Sequence, residues 1–162
     1  MHMGASIDEL ETVYRERLTE FRRVASAIVG DTERGRDAVQ EAFATAVRRR
    51  SQFRRQAPLE AWIWRIVIRR AHDESRRRPA RSLGTPETTT DSHGEGDARV
   101  AAAIGTLTPR QRLVVFLRYY ADLDYTAVAD ALEISPGTVA ATLNTIHRLL
   151  RRNLEEVHQW QC

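Results

Sequence analysis

The stretch "YTAVADALEISPGTVAATL", residues 125–143, decides the reading of the fold. Asp124 stands where it can cap a first helix, "YTAVADAL", because a short carboxylate accepts from the free backbone N–H groups of an opening turn. "EIS" then forms a tight turn, and Ser135 caps a second helix whose first residue is Pro136, a position where proline's missing N–H costs nothing. Small Ala129 sits where the two helices cross, and Val128, Leu132, Ile134, Val139 and Leu143 supply buried contacts. Together these predict a helix-turn-helix. Glu133 occupies a turn position that favours glycine, so a positive φ there implies strain. The apolar stripe continues through Ile146 and Leu150, whereas Ala140, Ala141, Thr142, Asn144 and Thr145, on the side expected to meet a DNA groove, carry no charge.

Upstream, Thr108, Pro109 and Gln111 form a capping box opening "RQRLVVFLRYY", and an Ala-rich segment predicts a short helix ending at Ile104. Residues 80–97, "ARSLGTPETTTDSHGEGD", are rich in Gly, Ser, Thr and acids without an apolar period, so they read as a flexible linker. Random-coil scaling gives such a linker a mean span of roughly 24 Å. In the first half, Ser6 and Glu9 make another capping box, and Ile7, Leu10, Tyr14, Leu18, Phe21, Val24 and Ile28 recur at helical spacing until Gly30. After an expected turn at "GDTERG", a second helix buries Ala38, Val39, Ala42, Phe43, Ala46 and Val47. A third begins near Pro58 and stops at Pro79. The expected fold is all-α: a three-helix domain over 6–79, the linker over 80–97, and a helix-turn-helix domain over 98–158. Each half alone would bury a modest core.

A 42% hydrophobic and 29% charged composition fits a water-soluble chain. No apolar run is long enough to cross a bilayer, and "MHMGASIDELE" lacks the basic-then-apolar layout of a signal peptide. A cytoplasmic protein with no membrane insertion is expected. The single cysteine, Cys162, excludes an intrachain disulfide, and His2, His72, His93, His147 and His158 fall at unrelated positions, so neither a metal nor another cofactor is expected. There is no glycine-rich phosphate loop, no nucleophile elbow and no carboxylate pair beside a histidine, and a non-enzyme is expected.

All 25 basic residues are arginine, which suits bidentate contacts to phosphate and guanine. Twelve lie between Arg48 and Arg81 against Glu60, Asp73 and Glu74, so the positive field is concentrated there despite a chain net charge of +3. Gln52, Phe53, Arg54 and Arg55 form an arginine-rich loop with an aromatic on which an unpaired base could stack. Arg69, Arg70, Arg76 and Arg77 follow on the third helix. Trp62 and Trp64, two apart, cannot share one helical face, and Trp62 is taken as the core residue. Asp37, Gln40 and Glu41 fall three and four apart opposite Val39, Phe43 and Val47, a polar face suited to a basic protein partner.

The two halves together resemble the extracytoplasmic-function group of bacterial sigma factors from about residue 10 to residue 155. "GDTERGRDAVQEAFATAVRR" is similar to the family's helix that docks on the clamp helices of the largest polymerase subunit, which implies contacts from Asp37, Gln40 and Glu41. "WIWRIVIRRAHDESRRR" is similar to the tryptophan-led helix that melts and reads the minus-ten element. The resemblance implies roles for Arg69, Arg70, Arg76 and Arg77, with the loop from Ser51 to Ala57 gripping a flipped-out base. "LTPRQRLVVFLRYYADLDYTAVADALEISPGTV" is similar to the minus-thirty-five reader and implies DNA contacts from Ser135, Gly137, Thr138, Ala140, Ala141, Thr142, Thr145 and Arg148. Two places depart from the family pattern: Arg69, where members often carry asparagine, and Ala140 to Thr142, where they usually carry lysine or arginine. The implied partners are RNA polymerase core, through its clamp helices and flap, promoter DNA, and an anti-sigma factor. The competing readings are a free-standing helix-turn-helix regulator and an adaptor that binds only protein. A neutral recognition helix weighs against the regulator, which must draw its affinity from its own phosphate contacts.

Overall fold

The computed structural model of the chain describes residues 4–78 and 95–158. Helix α1 spans Ile7–Val29 and opens on the expected capping box, with Ser6 and Glu9 each accepting from the other's backbone N–H. Gly30, at φ 78, ends it in the left-handed conformation. Asp31 caps α2, Thr32–Arg49, so this helix starts inside the segment expected to be a turn. Gly35 is therefore helical, and its reason is contact: a Cβ there would lie 2.7 Å from both Cα and N of Ser26 on α1. A 3₁₀ turn, Arg50–Gln52, and a loop lead to α3, Leu59–Arg77.

The three helices pack against one another around Phe21, Val24, Val39, Ala42, Ile63, Trp64 and Val67, all buried. Here the assignment of the tryptophans is corrected. Trp64 is fully buried with its ring 4.4 Å from that of Phe21, while Trp62 is half-buried against Phe53. Residues 61, 64, 67, 68 and 71 line the most deeply covered side of α3, and this period places position 64, not 62, at its centre. Val47, expected in the core, is exposed at the end of α2.

In the second half, α4 spans Glu95–Gly105 and so begins within the expected linker, the rest of which lies outside the described residues. The Thr108–Gln111 capping box opens α5, Pro109–Val115. The segment expected to continue as one helix widens into a π turn over Phe116–Tyr120, where Ala121 N–H donates to the Phe116 carbonyl. Asp124 caps α6, Tyr125–Leu132, and Glu133 takes the strained conformation anticipated for it, φ 57. Ser135 Oγ accepts from Thr138 N–H at 3.1 Å at the start of α7, Pro136–His158. Val114, Leu117, Val128, Val139, Leu143 and Ile146 form this half's core. The described residues are helices and turns without a strand, two helical units as expected. Helix α3 also packs on α6, so one buried cluster runs through both halves instead of two separate modest cores.

Candidate nucleic-acid and protein interface

Helix α2 has one covered and one open side. Asp37, Gln40 and Glu41 are exposed, as their spacing predicts, opposite buried Ala38, Val39, Ala42 and Phe43. Asp37 and Gln40 make no side-chain hydrogen bond among the described residues, whereas Glu41 pairs with Arg48 at 3.3 Å. Ala44 and Val47, also exposed, continue the row from Gln40 at i+4 and i+7. The face is thus polar at one end and apolar at the other. The sequence pattern hides this apolar end because Val47 falls in phase with the core stripe and a lone Ala44 carries no signal of its own.

The arginine-rich loop is more structured than its composition implies. Phe53 is buried under Trp62, ring centroids 5.5 Å apart, so it supports the loop from below and offers no free face for a base in this conformation. Arg55, at φ 56, folds back to donate to both Glu9 carboxylate oxygens at 3.0 Å and to the Gly4 carbonyl at 2.9 Å. The Arg55 hydrogen bonds to the carboxylate, then the Ser6 N–H bond of the capping box and the Arg55 charge, hold the Glu9 carboxyl well below its ordinary value, at about 2. Gln52 and Arg54 remain exposed.

Along α3 the four singled-out arginines have different fates. Arg70 is half-buried and donates to Thr45 at 3.2 Å. Arg69 is exposed but engaged across the two halves: its Nε donates to Glu133 at 3.1 Å, and its terminal nitrogen makes a second bond to the same carboxylate. Arg76 and Arg77 are exposed, with no ion pair among the described residues. His72, one turn before Arg76, is exposed at the surface, and partial desolvation together with the nearby Arg76 guanidinium lowers its pKa. The positive field of this helix end therefore comes from arginine alone. Arg34 fixes that end in place, bonding Glu74 Oε1 at 3.0 Å and the carbonyls of Glu74 and Arg78.

In the second half an open cleft of about 510 Å³ lies between the start of α5 and the first turns of α7. Ser135, Gly137, Thr138, Ala141, Thr142 and Thr145 line it, together with Thr108, Arg110 and Gln111 from α5. Ala140 is half-buried beside it, and Arg148 is exposed further along α7. Arg110 went unnoticed in the sequence because it neighbours a capping box, and only the crossing of α5 and α7 brings it to the recognition face.

Comparison with known proteins covers both halves. The family described as Sigma-70 region 2 matches residues 13–81, and Sigma-70, region 4 matches residues 97–152. The RNA polymerase sigma-E factor of Streptomyces coelicolor is 31% identical over 155 residues, covering 92% of this chain and 86% of its own. That of Streptomyces antibioticus is 30% identical over 156 residues, covering 92% and 84%. Two solved structures share the fold. The sigma factor RpoE in complex with the anti-sigma factor NepR from Bartonella quintana has a TM-score of 0.69 at 18% identity, covering 92% of this chain and 98% of that one. CnrH in complex with the cytosolic domain of CnrY has a TM-score of 0.67 at 21% identity, covering 94% and 91%.

Proposed function

This chain belongs to the sigma-70 family of RNA polymerase sigma factors, in its extracytoplasmic-function group, and from that premise we propose how its surfaces divide the work of initiation. The open face of α2, with Asp37, Gln40 and Glu41, docks on the clamp helices of core polymerase, and the helix-turn-helix half engages the flap. Gln52, Arg54 and Arg55 of the loop, with Arg69, Arg70, Arg76 and Arg77 of α3, hold and open the minus-ten region. Arginine supplies both phosphate attraction and planar stacking there. Ser135, Gly137, Thr138, Ala140, Ala141, Thr142 and Thr145 face the upstream element, and Arg148 takes a flanking phosphate. The factor itself makes and breaks no covalent bond, acts in the cytoplasm, and is held inactive by an anti-sigma factor, as the named RpoE relative is bound by one.

The observation that carries this reading is the uncommitted polar face of α2 beside a separate neutral recognition helix. A chain that leaves Asp37 and Gln40 free while keeping its DNA-reading helix uncharged is built to bind DNA with help from a protein. Core-binding and open-complex assays test it. The wild-type protein is expected to bind core polymerase and open promoters selected from a library, and the Gln40→Ala, Glu41→Ala double variant to lose core binding while keeping its helicity. Failure of the wild type to bind core, with tight sequence-specific binding of duplex by the chain alone, would replace this reading with a free-standing regulator.

A further inference from the structure

The cleft at the start of α7 has an unusual hydrogen-bond inventory. Thr142 donates its hydroxyl hydrogen to the Thr138 carbonyl at 2.8 Å, and Thr145 donates to the Ala141 carbonyl at 3.1 Å. Ser135 and Thr138 hydroxyls bond each other at 2.8 Å. On α5, Thr108 Oγ1 accepts from Gln111 N–H and the Gln111 carbonyl oxygen accepts from Thr108 N–H. A threonine hydroxyl bonded back to its own helix has its one hydrogen occupied and its rotamer fixed, which leaves the methyl as the branch offered to a ligand. No Asp, Glu, Lys or Arg occurs from Pro136 to Ile146, and Arg110 is the single charged residue lining the cleft.

Guanine presents two acceptors in the major groove and requires a donor, whereas thymine presents a 5-methyl group that an apolar surface meets directly. The α7 face is rich in methyls, and the hydroxyl hydrogens of Thr142 and Thr145 are both committed to backbone carbonyls. We infer that this face selects thymine in the upstream element by contact with the 5-methyl group, through Ala141, Thr142 and Thr145, while Arg110 provides the one charged contact at the edge of the cleft. The inference rests on the promoter-reading role proposed above and adds to it the chemical class of the base that is read.

Thymine and uracil differ by that methyl alone, which gives the test. Holoenzyme assembled from the full chain and bacterial core polymerase selects from a randomised duplex library whose upstream half is made with thymidine or with deoxyuridine, the downstream half keeping thymidine in both. The expected result is a thymine-containing upstream motif from the first library and loss of that motif from the second, with the downstream motif unchanged. On the selected sequence, each methyl removed should weaken binding about fourfold. The side chains give a complementary pair: Thr142→Val and Thr145→Val, which keep the methyl, should retain selectivity, and Thr142→Ser and Thr145→Ser, which keep only the hydroxyl, should lose it. Equal selection from both libraries, or retention by serine with loss by valine, would overturn the inference while leaving the sigma role intact. Absence of core binding would remove that role and this inference with it.

Discussion

At Gly35 the backbones of α1 and α2 meet so closely that a methyl group has no room, since its neighbours at 2.7 Å are the Cα and N of Ser26. Gly35→Ala should therefore destabilise the first half by about 2–3 kcal/mol, an overpacking cost that outweighs alanine's better helix propensity. Urea unfolding with an unchanged slope would show it, and Ser26→Gly, which removes the Ser26 hydroxyl from the clash, should restore only part, because the Ser26 Cα and N at 2.7 Å remain. Glu133 poses the opposite problem. Its left-handed φ of 57 carries strain, while its carboxylate holds Arg69. Glu133→Gly and Glu133→Ala both lose the pair but only glycine relieves the strain, so the glycine variant should be the more stable of the two by about 1 kcal/mol. Glu9 adds a pH signature. Its folded pKa of about 2 lies below the ordinary 4.5, so the stabilisation from Arg55 is complete above the ordinary value and is lost as pH falls from there toward the folded one. Following the Glu9 carboxyl by NMR in Arg55→Ala should move its midpoint up toward the ordinary carboxylate range, with the Ser6 N–H bond of the capping box still holding it somewhat low.

At the scale of elements, α3 is one helix whose buried side the sequence alone does not settle, and its tryptophans show why. Two aromatics two residues apart point about 200° apart on a helix, and sequence alone offers no way to tell which side the bundle covers. The structure gives the buried side to Trp64, against Phe21, and puts Trp62 over Phe53. Trp64→Ala should cost about 3–5 kcal/mol, a large core truncation. Trp62→Ala should cost about half as much and mainly loosen the arginine-rich loop, which faster amide exchange at Gln52 to Arg55 would reveal. Other elements were legible because their signals are local. The capping residues Ser6, Thr108, Asp124 and Ser135 start helices where predicted, since each satisfies its own opening turn. Gly35 and Arg110 were not legible, because the reason for each is a neighbour far away in the chain: Ser26 for the glycine, the first turns of α7 for the arginine.

Across the whole molecule, the packing of α3 on α6 joins the halves, and two polar contacts flank it: the Arg69–Glu133 pair and Arg23 stacked over Tyr120 at 5.3 Å. The sequence reading left the arrangement of the halves open, because no local pattern encodes a contact between surfaces joined by a polar segment. The contact matters for function because Arg69 lies on the helix proposed to open the minus-ten region, and in this arrangement its guanidinium is committed to a carboxylate of the other half. For Arg69 to meet DNA the pair must break, and the free energy of that contact is subtracted from the affinity of the open form. An exposed pair of this kind contributes about 0.2–1 kcal/mol. Glu133→Gln should accordingly leave the melting temperature nearly unchanged while separating the halves more often. Distance distributions between one label on α1 and one on α7 should broaden, and open-complex formation should rise by up to about fivefold. Raising salt should broaden the wild-type distribution toward that of the variant, since screening weakens the same pair. A variant whose distances and promoter opening match the wild type at both low and high salt would mean that apolar packing between α3 and α6 alone sets the closed arrangement.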